Sequence, residues 1–298
     1  MSVCKRRQNQ TLSIQSSLSK PTNCPSFLSI SYLDQIPLFP FQMASSTALP
    51  LALLIIYITL SLPTIYIAIK HGVRHGVIVG WFFLFIFCTL RVVASAIELN
   101  NAQSPSAPLI ASIGLSPLLA AACGVLHEAR VYILPKSRRP LDVPVLVLFH
   151  LVVTTAIALV AAGASKMDDT TLPPDQLKRS GALVKAGMVM LLLSWLSLAI
   201  FTVATFQHFF TRESRKLTGN RGAKKLLLAV TISMPFLGIR VLERLIYFFT
   251  RNQELNPVTG SLGLRVGLEV IEEIIVTLSL VISGVMTRNV TQSAEPRS

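Results

Sequence analysis

VIVGWFFLFIFCTLRVVASAI, residues 77–97, is an apolar run that contains a single charged residue, Arg91. A run of about 20 apolar residues has the length needed to cross the hydrocarbon core of a bilayer as an α-helix. A charged side chain in hydrocarbon is costly, so it usually faces neighbouring helices rather than lipid. This stretch therefore predicts a membrane-spanning helix that packs inside a bundle.

Six further apolar runs of similar length lie on either side of this one. The seven predicted spans are residues 49–69, 77–97, 108–127, 144–163, 182–206, 226–249 and 264–286. The last span is the least apolar because it contains Arg265, Glu269, Glu272 and Glu273. We predict an all-α fold, a polytopic bundle of seven transmembrane helices over residues 44–290, followed by a short cytoplasmic tail over residues 291–298.

The overall composition supports a protein whose main partner is the lipid bilayer. Hydrophobic residues make up 52% of the chain and charged residues 14%, and the mean hydropathy is +0.61. A soluble domain carries about a quarter charged residues. We expect a multi-pass integral membrane protein, and a location in the plasma membrane or an endomembrane is favoured.

The positive charges are distributed between the predicted loops in a way that indicates orientation. The net charge is +13, but the basic residues are spread over several loops, which argues against nucleic-acid binding. Loops on one side, together with the C-terminal tail, carry fourteen Lys and Arg residues, and loops on the other side carry four. Positive loops mark the cytoplasmic side, so the N-terminus is predicted outside and the C-terminus inside. The basic loops 128–143 and 207–225 are candidate surfaces for a cytosolic partner.

Residues 1–43 differ in composition from the rest of the chain. They are rich in Ser, contain four basic residues and have Asp34 as their only acid. This composition resembles a transit peptide, but a disordered extension or a gene-model artefact is the favoured interpretation. Met43 opens MASSTALPLALLIIY, a sequence typical of a protein whose first helix begins almost at once.

Three charged residues are predicted to lie at one depth in the bundle. Arg91, Arg240 and Glu272 are each fourteen residues from the predicted cytoplasmic end of their span. At 100° per residue, the neighbouring charges of the sixth and seventh spans fall on the same helix faces. The resulting candidate polar layer, in the predicted outer half, contains four positive and four negative residues: Arg91, Arg240, Glu243, Arg244, Arg265, Glu269, Glu272 and Glu273.

Three interpretations of this layer stay open. A balanced set of charges is what a structural ion-pair network requires, because each buried charge needs a partner. Clustered charge that faces a cavity also marks ligand or substrate sites, which favours a receptor-like or sensory protein with a small-molecule ligand. In the third interpretation a transporter of a small solute or lipid uses a proton carried by Glu272 or Glu273.

No catalytic arrangement is visible in the sequence. The five His residues are scattered, and His71 and His75 lack the intervening Glu of a metalloprotease helix. His127 and Glu128 are predicted to end the third span at the membrane interface. We therefore expect no enzymatic activity, no metal site and no cofactor.

Short motifs in these spans resemble those of a known family. They are Gly80-Trp81 followed by Arg91, the stretch Gly114-Leu115-Ser116-Pro117-Leu118-Leu119, Arg240, and Gly267-Leu268-Glu269 with Glu272-Glu273. Over roughly residues 44–290 the chain resembles the uncharacterised fungal seven-helix membrane proteins grouped as domain of unknown function 7702. The resemblance implies an integral membrane protein and assigns no activity.

Overall fold

The computed structural model describes residues 45–71, 78–101, 110, 113–133, 142–167, 173–212, 221–250, 263 and 266–287. Across these ranges the chain forms seven long α-helices and no strand, which confirms the predicted all-α class. The helices are α1 (Ser45–His71), α2 (Ile78–Asn100), α3 (Leu115–Ile133), α4 (Asp142–Met167), α5 (Pro174–Arg212), α6 (Arg221–Thr250) and α7 (Glu272–Thr287). A π-helical segment, Val266–Ile271, leads directly into α7. The predicted extension over residues 1–43, the tail over 291–298 and most of the basic loops lie outside the described residues.

Two helices differ clearly from the predicted spans. The third span was placed at residues 108–127, but α3 extends six residues further, to Ile133. The fifth span was placed at residues 182–206, whereas α5 has 39 residues. A helix of that length is about 58 Å long, nearly twice the roughly 30 Å of a hydrocarbon core. The polar ends of α5 therefore extend beyond its apolar middle.

The helices are arranged as a ring around α3. Sequence neighbours pack together from α4 to α7, and α1 packs against both α2 and α7. Helix α3 packs against α2, α4, α5, α6 and α7. Every residue from Leu115 to Ala122 is buried, as expected for a helix that is enclosed on all sides.

Six helices are long and apolar enough to cross a membrane, judged by length and composition within the described ranges. They are the six helices of the ring, and α3 is not among them. The outward faces of the ring helices are strongly apolar, with Leu62 65% and Ile200 68% exposed. Such a surface is compatible with contact to lipid rather than water.

Small residues allow the closest helix contact, between α2 and α3. A Cβ atom built on Gly124 would lie 2.3 Å from Cα of Gly80, and one built on Gly80 would lie 2.8 Å from the backbone of Gly124. Small residues let helix backbones approach closely in membrane bundles. Gly80 of α2 and Gly124 of α3 are thus the residues that let these two backbones touch.

This contact predicts a difference between two glycine variants. Gly124→Ala should lower the thermal unfolding midpoint of the purified protein by several degrees, because α2 and α3 must separate, at a cost of about 1–3 kcal/mol. Gly181→Ala on α5 is the matched control, since nothing lies within 4 Å of its added Cβ, and alanine favours a helix over glycine. Equal midpoints for the two variants would contradict this packing.

Candidate functional site

Six charged residues from four helical segments meet inside the bundle, and we call them the charged cluster. They are Arg91 of α2, Arg240, Glu243 and Arg244 of α6, Glu269 of the π segment and Glu273 of α7. Glu269 is at the centre. Its Oε1 atom lies 2.5 Å from Nη2 of Arg240 and 2.8 Å from Nη2 of Arg244. Nη2 of Arg91 lies 3.5 Å from the same oxygen.

Glu273 connects the cluster to one more helix of the ring, α1. Its Oε1 atom forms an ion pair with Arg91 and lies 3.4 Å from Nη2 of Arg240. The hydroxyl of Tyr57 on α1 donates a hydrogen bond to Oε2 at 3.4 Å. Glu243, the remaining acid of the cluster, accepts from Nη1 of Arg240 at 2.6 Å. The cluster thus joins α1, α2, α6 and α7.

The ion pairs are shielded from solvent. The side chains of Arg91, Arg240, Arg244, Glu269 and Glu273 are 2–5% exposed. Transfer of a charge from water to the protein interior costs several kcal/mol, which only close pairing with good hydrogen bonds offsets. Removal of one partner leaves a buried charge uncompensated. The cluster is therefore a strong constraint on how these helices pack.

Glu272 is placed differently from the prediction. The sequence grouped it with Arg91 and Arg240, and the structure pairs those arginines with Glu269 and Glu273 instead. Glu272 is 6% exposed, and its Oε2 atom has no hydrogen-bond partner among the described residues. The charged residues that act on it electrostatically are Arg240, Glu243 and Glu273. Glu272 therefore borders the charged cluster at the seam between α6 and α7 without an ion pair.

Arg244 also keeps unused hydrogen-bonding capacity. One guanidinium nitrogen, Nη2, donates to Glu269. The other two, Nε and Nη1, are buried and have no partner within the described part of the chain. The Nε atoms of Arg91 and Arg240 are likewise buried and have no hydrogen-bond partner among the described residues. Arg265, the eighth residue of the predicted layer, lies outside the described residues. Of the other seven, three arginines and three glutamates form the charged cluster, and Glu272 borders it.

The π segment explains why the sequence argument did not resolve Glu272 from Glu273. Helical spacing was assumed throughout the seventh span, but Val266–Ile271 is π-helical and α7 begins at Glu272. Inserting a π turn changes the rotation of the helix, and such turns are frequent at functional sites. Because of this change in rotation, α-helical spacing alone does not tell which carboxylate faces the arginines.

A second polar centre was missed by the sequence analysis. His127 and Glu128 were predicted to end the third span at the interface, but both are inside α3, and Glu128 is fully buried. Its carboxylate accepts a hydrogen bond from Nε1 of Trp81 at 2.8 Å and from the hydroxyl of Tyr132 at 3.4 Å. The prediction was wrong because the helix continues past Glu128 to Ile133. The spacing of Glu128 and Tyr132, i and i+4, was the available signal.

The end of α3 is joined to two further helices by Arg130. Its Nε and Nη2 atoms donate to the two carboxylate oxygens of Asp142 on α4, at 3.2 and 2.8 Å. Its Nη1 atom donates to the hydroxyl of Thr205 on α5 at 2.9 Å. A bidentate pair of this kind fixes both position and orientation. Arg130 therefore links α3, α4 and α5.

Metal binding finds no support in this geometry. No group of three or more His, Cys, Asp or Glu side chains is placed to hold a metal ion in the described ranges. In the charged cluster the carboxylates are instead interleaved with guanidinium groups, which bind carboxylates through directed hydrogen bonds.

The six apolar helices and the enclosed charges are compatible with the class of multi-pass α-helical membrane proteins. Within that class, the chain belongs to the family described as domain of unknown function (DUF7702), whose model matches residues 44–290. This confirms the resemblance seen in the sequence, and the fungal origin it implied stays an expectation. Searches of curated proteins and of solved structures found no match.

Replacement of the central carboxylate tests the charged cluster. Glu269→Gln should destabilise the protein by about 3 kcal/mol or more, because three arginines lose their shared counter-charge. The thermal unfolding midpoint and the monodisperse fraction of the purified protein report this loss. Asp175→Asn on α5, an exposed residue outside the cluster, is the control and should change both much less. Similar behaviour of the two variants would contradict the central role of Glu269.

The second polar centre predicts a difference between the two tryptophans. Trp81→Phe should destabilise by about 1–3 kcal/mol, since the buried Glu128 carboxylate loses a donor. Trp195→Phe removes a hydrogen bond to the backbone oxygen of Met234 and should cost less, because that oxygen is not a charged acceptor. Thermal unfolding of both variants provides the comparison, and a larger effect at Trp195 would contradict the importance of the Trp81–Glu128 bond.

Proposed function

We propose that this protein is a receptor-like or sensory membrane protein that binds a small ligand beside the charged cluster. The observation that carries the proposal is the pair of unsatisfied groups at its border, Nε and Nη1 of Arg244 and Oε2 of Glu272. Buried polar atoms in folded proteins are nearly always hydrogen-bonded. A network that served only to hold helices together would be expected to satisfy them, so we interpret them as recognition groups.

The membrane arrangement is part of the same proposal. We count α3 as the seventh span, since the ring helices enclose it. The excess of Lys and Arg in alternate loops favours an N-terminus outside and a C-terminus inside. With that orientation the charged cluster is in the outer half, reachable by an external ligand, and the basic loops 128–143 and 207–225 face a cytosolic partner. No catalytic role is proposed.

A transporter is the second candidate, and Glu272 is the observation that favours it. A buried carboxylate without an ion pair can bind and release a proton or a cation without breaking the cluster. In this candidate, Glu272 couples movement of a small solute or lipid to such a cycle. A purely structural role for the ion-pair network is the third interpretation, and it requires Glu272 to contribute to stability as Glu269 does.

Comparison of two glutamate variants tests the proposal. Glu272→Gln should fold with nearly the wild-type thermal midpoint, because Glu272 has no ion pair among the described residues, whereas Glu269→Gln should be strongly destabilised. A screen of small molecules by thermal shift in purified wild-type protein should then yield stabilising ligands whose effect is lost in Glu272→Gln or in Arg244→Gln.

The outcomes separate the three interpretations. Uptake of the ligand into vesicles that contain the purified protein, abolished in Glu272→Gln, would favour the transporter. Binding without uptake would favour the receptor-like protein. Destabilisation of Glu272→Gln to the same degree as Glu269→Gln would contradict both and favour the structural network.

A further inference from the structure

The unsatisfied groups beside the charged cluster are of opposite sign. Arg244 presents two N–H donors with positive charge, and Glu272 presents one carboxylate oxygen with negative charge. Both side chains are more than nine-tenths buried, at 3% and 6% exposure. Neither group has another partner among the described residues for the atoms in question.

These two groups lie on facing segments of the same seam. Arg244 is on α6 and Glu272 begins α7, and these two helices pack together. Arg240 and Glu243 are charged neighbours of both residues. The two unsatisfied groups therefore share Arg240 and Glu243 as charged neighbours, and one comes from each helix.

The remaining charges near the seam are already paired. Arg240 is bound by Glu243 and Glu269, and Glu273 is bound by Arg91 and Tyr57. Arg91 and Arg240 each keep one unpartnered Nε atom, but their guanidinium groups are already held by at least two glutamates each. Arg244 has two unpartnered nitrogen atoms and Glu272 has no ion pair among the described residues, so these two residues offer the most unused capacity.

From this arrangement we propose that the site binds a small zwitterion, with its anionic group on Arg244 and its protonated amine on Glu272. This rests on the proposed function and names the ligand class. A carboxylate or phosphate suits the guanidinium, and an N–H donor suits the free carboxylate oxygen. A molecule with one charge would leave the other buried group unsatisfied, which is unfavourable.

Entry of such a ligand requires the seam to open. The unsatisfied atoms are enclosed, so α7 must move relative to α6 for a ligand to reach them. The π segment that precedes Glu272 is where the regular α-helical hydrogen-bond ladder is interrupted, and such segments frequently accompany functional sites. The zwitterion can be a free solute or a phosphatidylethanolamine headgroup, which share this chemistry.

A length series of ω-amino acids tests the proposal directly. Full-length protein in phosphatidylglycerol vesicles is titrated with glycine, β-alanine, 4-aminobutyrate and 6-aminohexanoate, and thermal shift gives the Kd of each. We expect one or two chain lengths to bind, with methylammonium and acetate giving no comparable stabilisation. Arg244→Gln and Glu272→Gln should each weaken the Kd roughly tenfold or more, and Asp175→Asn should not.

A lipid arm distinguishes the two sources of the zwitterion. One informative result is that the wild-type protein is more stable in phosphatidylethanolamine vesicles than in phosphatidylglycerol vesicles, with the difference lost in both variants. That result assigns the site to the headgroup and supports the proposal. If acetate or methylammonium binds as tightly as the best amino acid, the site does not require a zwitterion. That result would overturn the proposed ligand class but not the presence of a ligand site. If neither an amino acid nor phosphatidylethanolamine stabilises the wild type, the zwitterion is also overturned, and the small-molecule screen decides the proposed function separately.

Discussion

The interaction on which the rest of this structure depends is the sharing of Glu269 by three arginines. An arginine inside an apolar bundle stays charged and needs a nearby counter-charge. Glu269 and Glu273 supply it to side chains from α2 and α6, and Tyr57 brings α1 to the same point. Four of the six ring helices are thus held at one place by a requirement that apolar packing alone does not impose. Lipid-facing Leu and Ile residues can slide past one another, whereas these ion pairs fix register.

The second constraint is the close packing of α3 at the centre of the ring. Its Ala and Gly residues let α2 approach to backbone contact, and Glu128 and Arg130 tie it to Trp81, Asp142 and Thr205. Helix α2 is therefore held twice, by Arg91 at the charged cluster and by Trp81 at the second polar centre. The ring of Trp81 also lies against Gly284 of α7. Helix α7 therefore contacts α2 at two places, at Arg91 through Glu273 and at Trp81 through Gly284.

The all-α class and the approximate position of every helix could be predicted from the sequence, because the length of an apolar run is a local property. A shared layer of Arg91, Arg240 and acids of the seventh span could be proposed from depth and the cost of buried charge, whereas direct ion pairing was one of three open interpretations. The sequence could not tell which of Glu272 and Glu273 pairs with Arg91, because that depends on the rotation introduced by the π turn. The burial of Glu128 was missed for a related reason. A span predicted from hydropathy ends at the first polar residues, and hydropathy does not show whether neighbouring helices enclose those residues.

The central claim is that charges from separate helices pair directly inside the bundle, and the Arg91–Glu273 contact tests it most directly. A double-mutant cycle with Arg91→Met, Glu273→Met and the combined variant, measured by unfolding in lipid nanodiscs, isolates their interaction energy. We predict that the double variant is less destabilised than the sum of the single variants by about 1–3 kcal/mol, since removal of both charges leaves neither one unpaired. Effects that add within about 0.5 kcal/mol would show that the two residues do not interact, and would contradict the account.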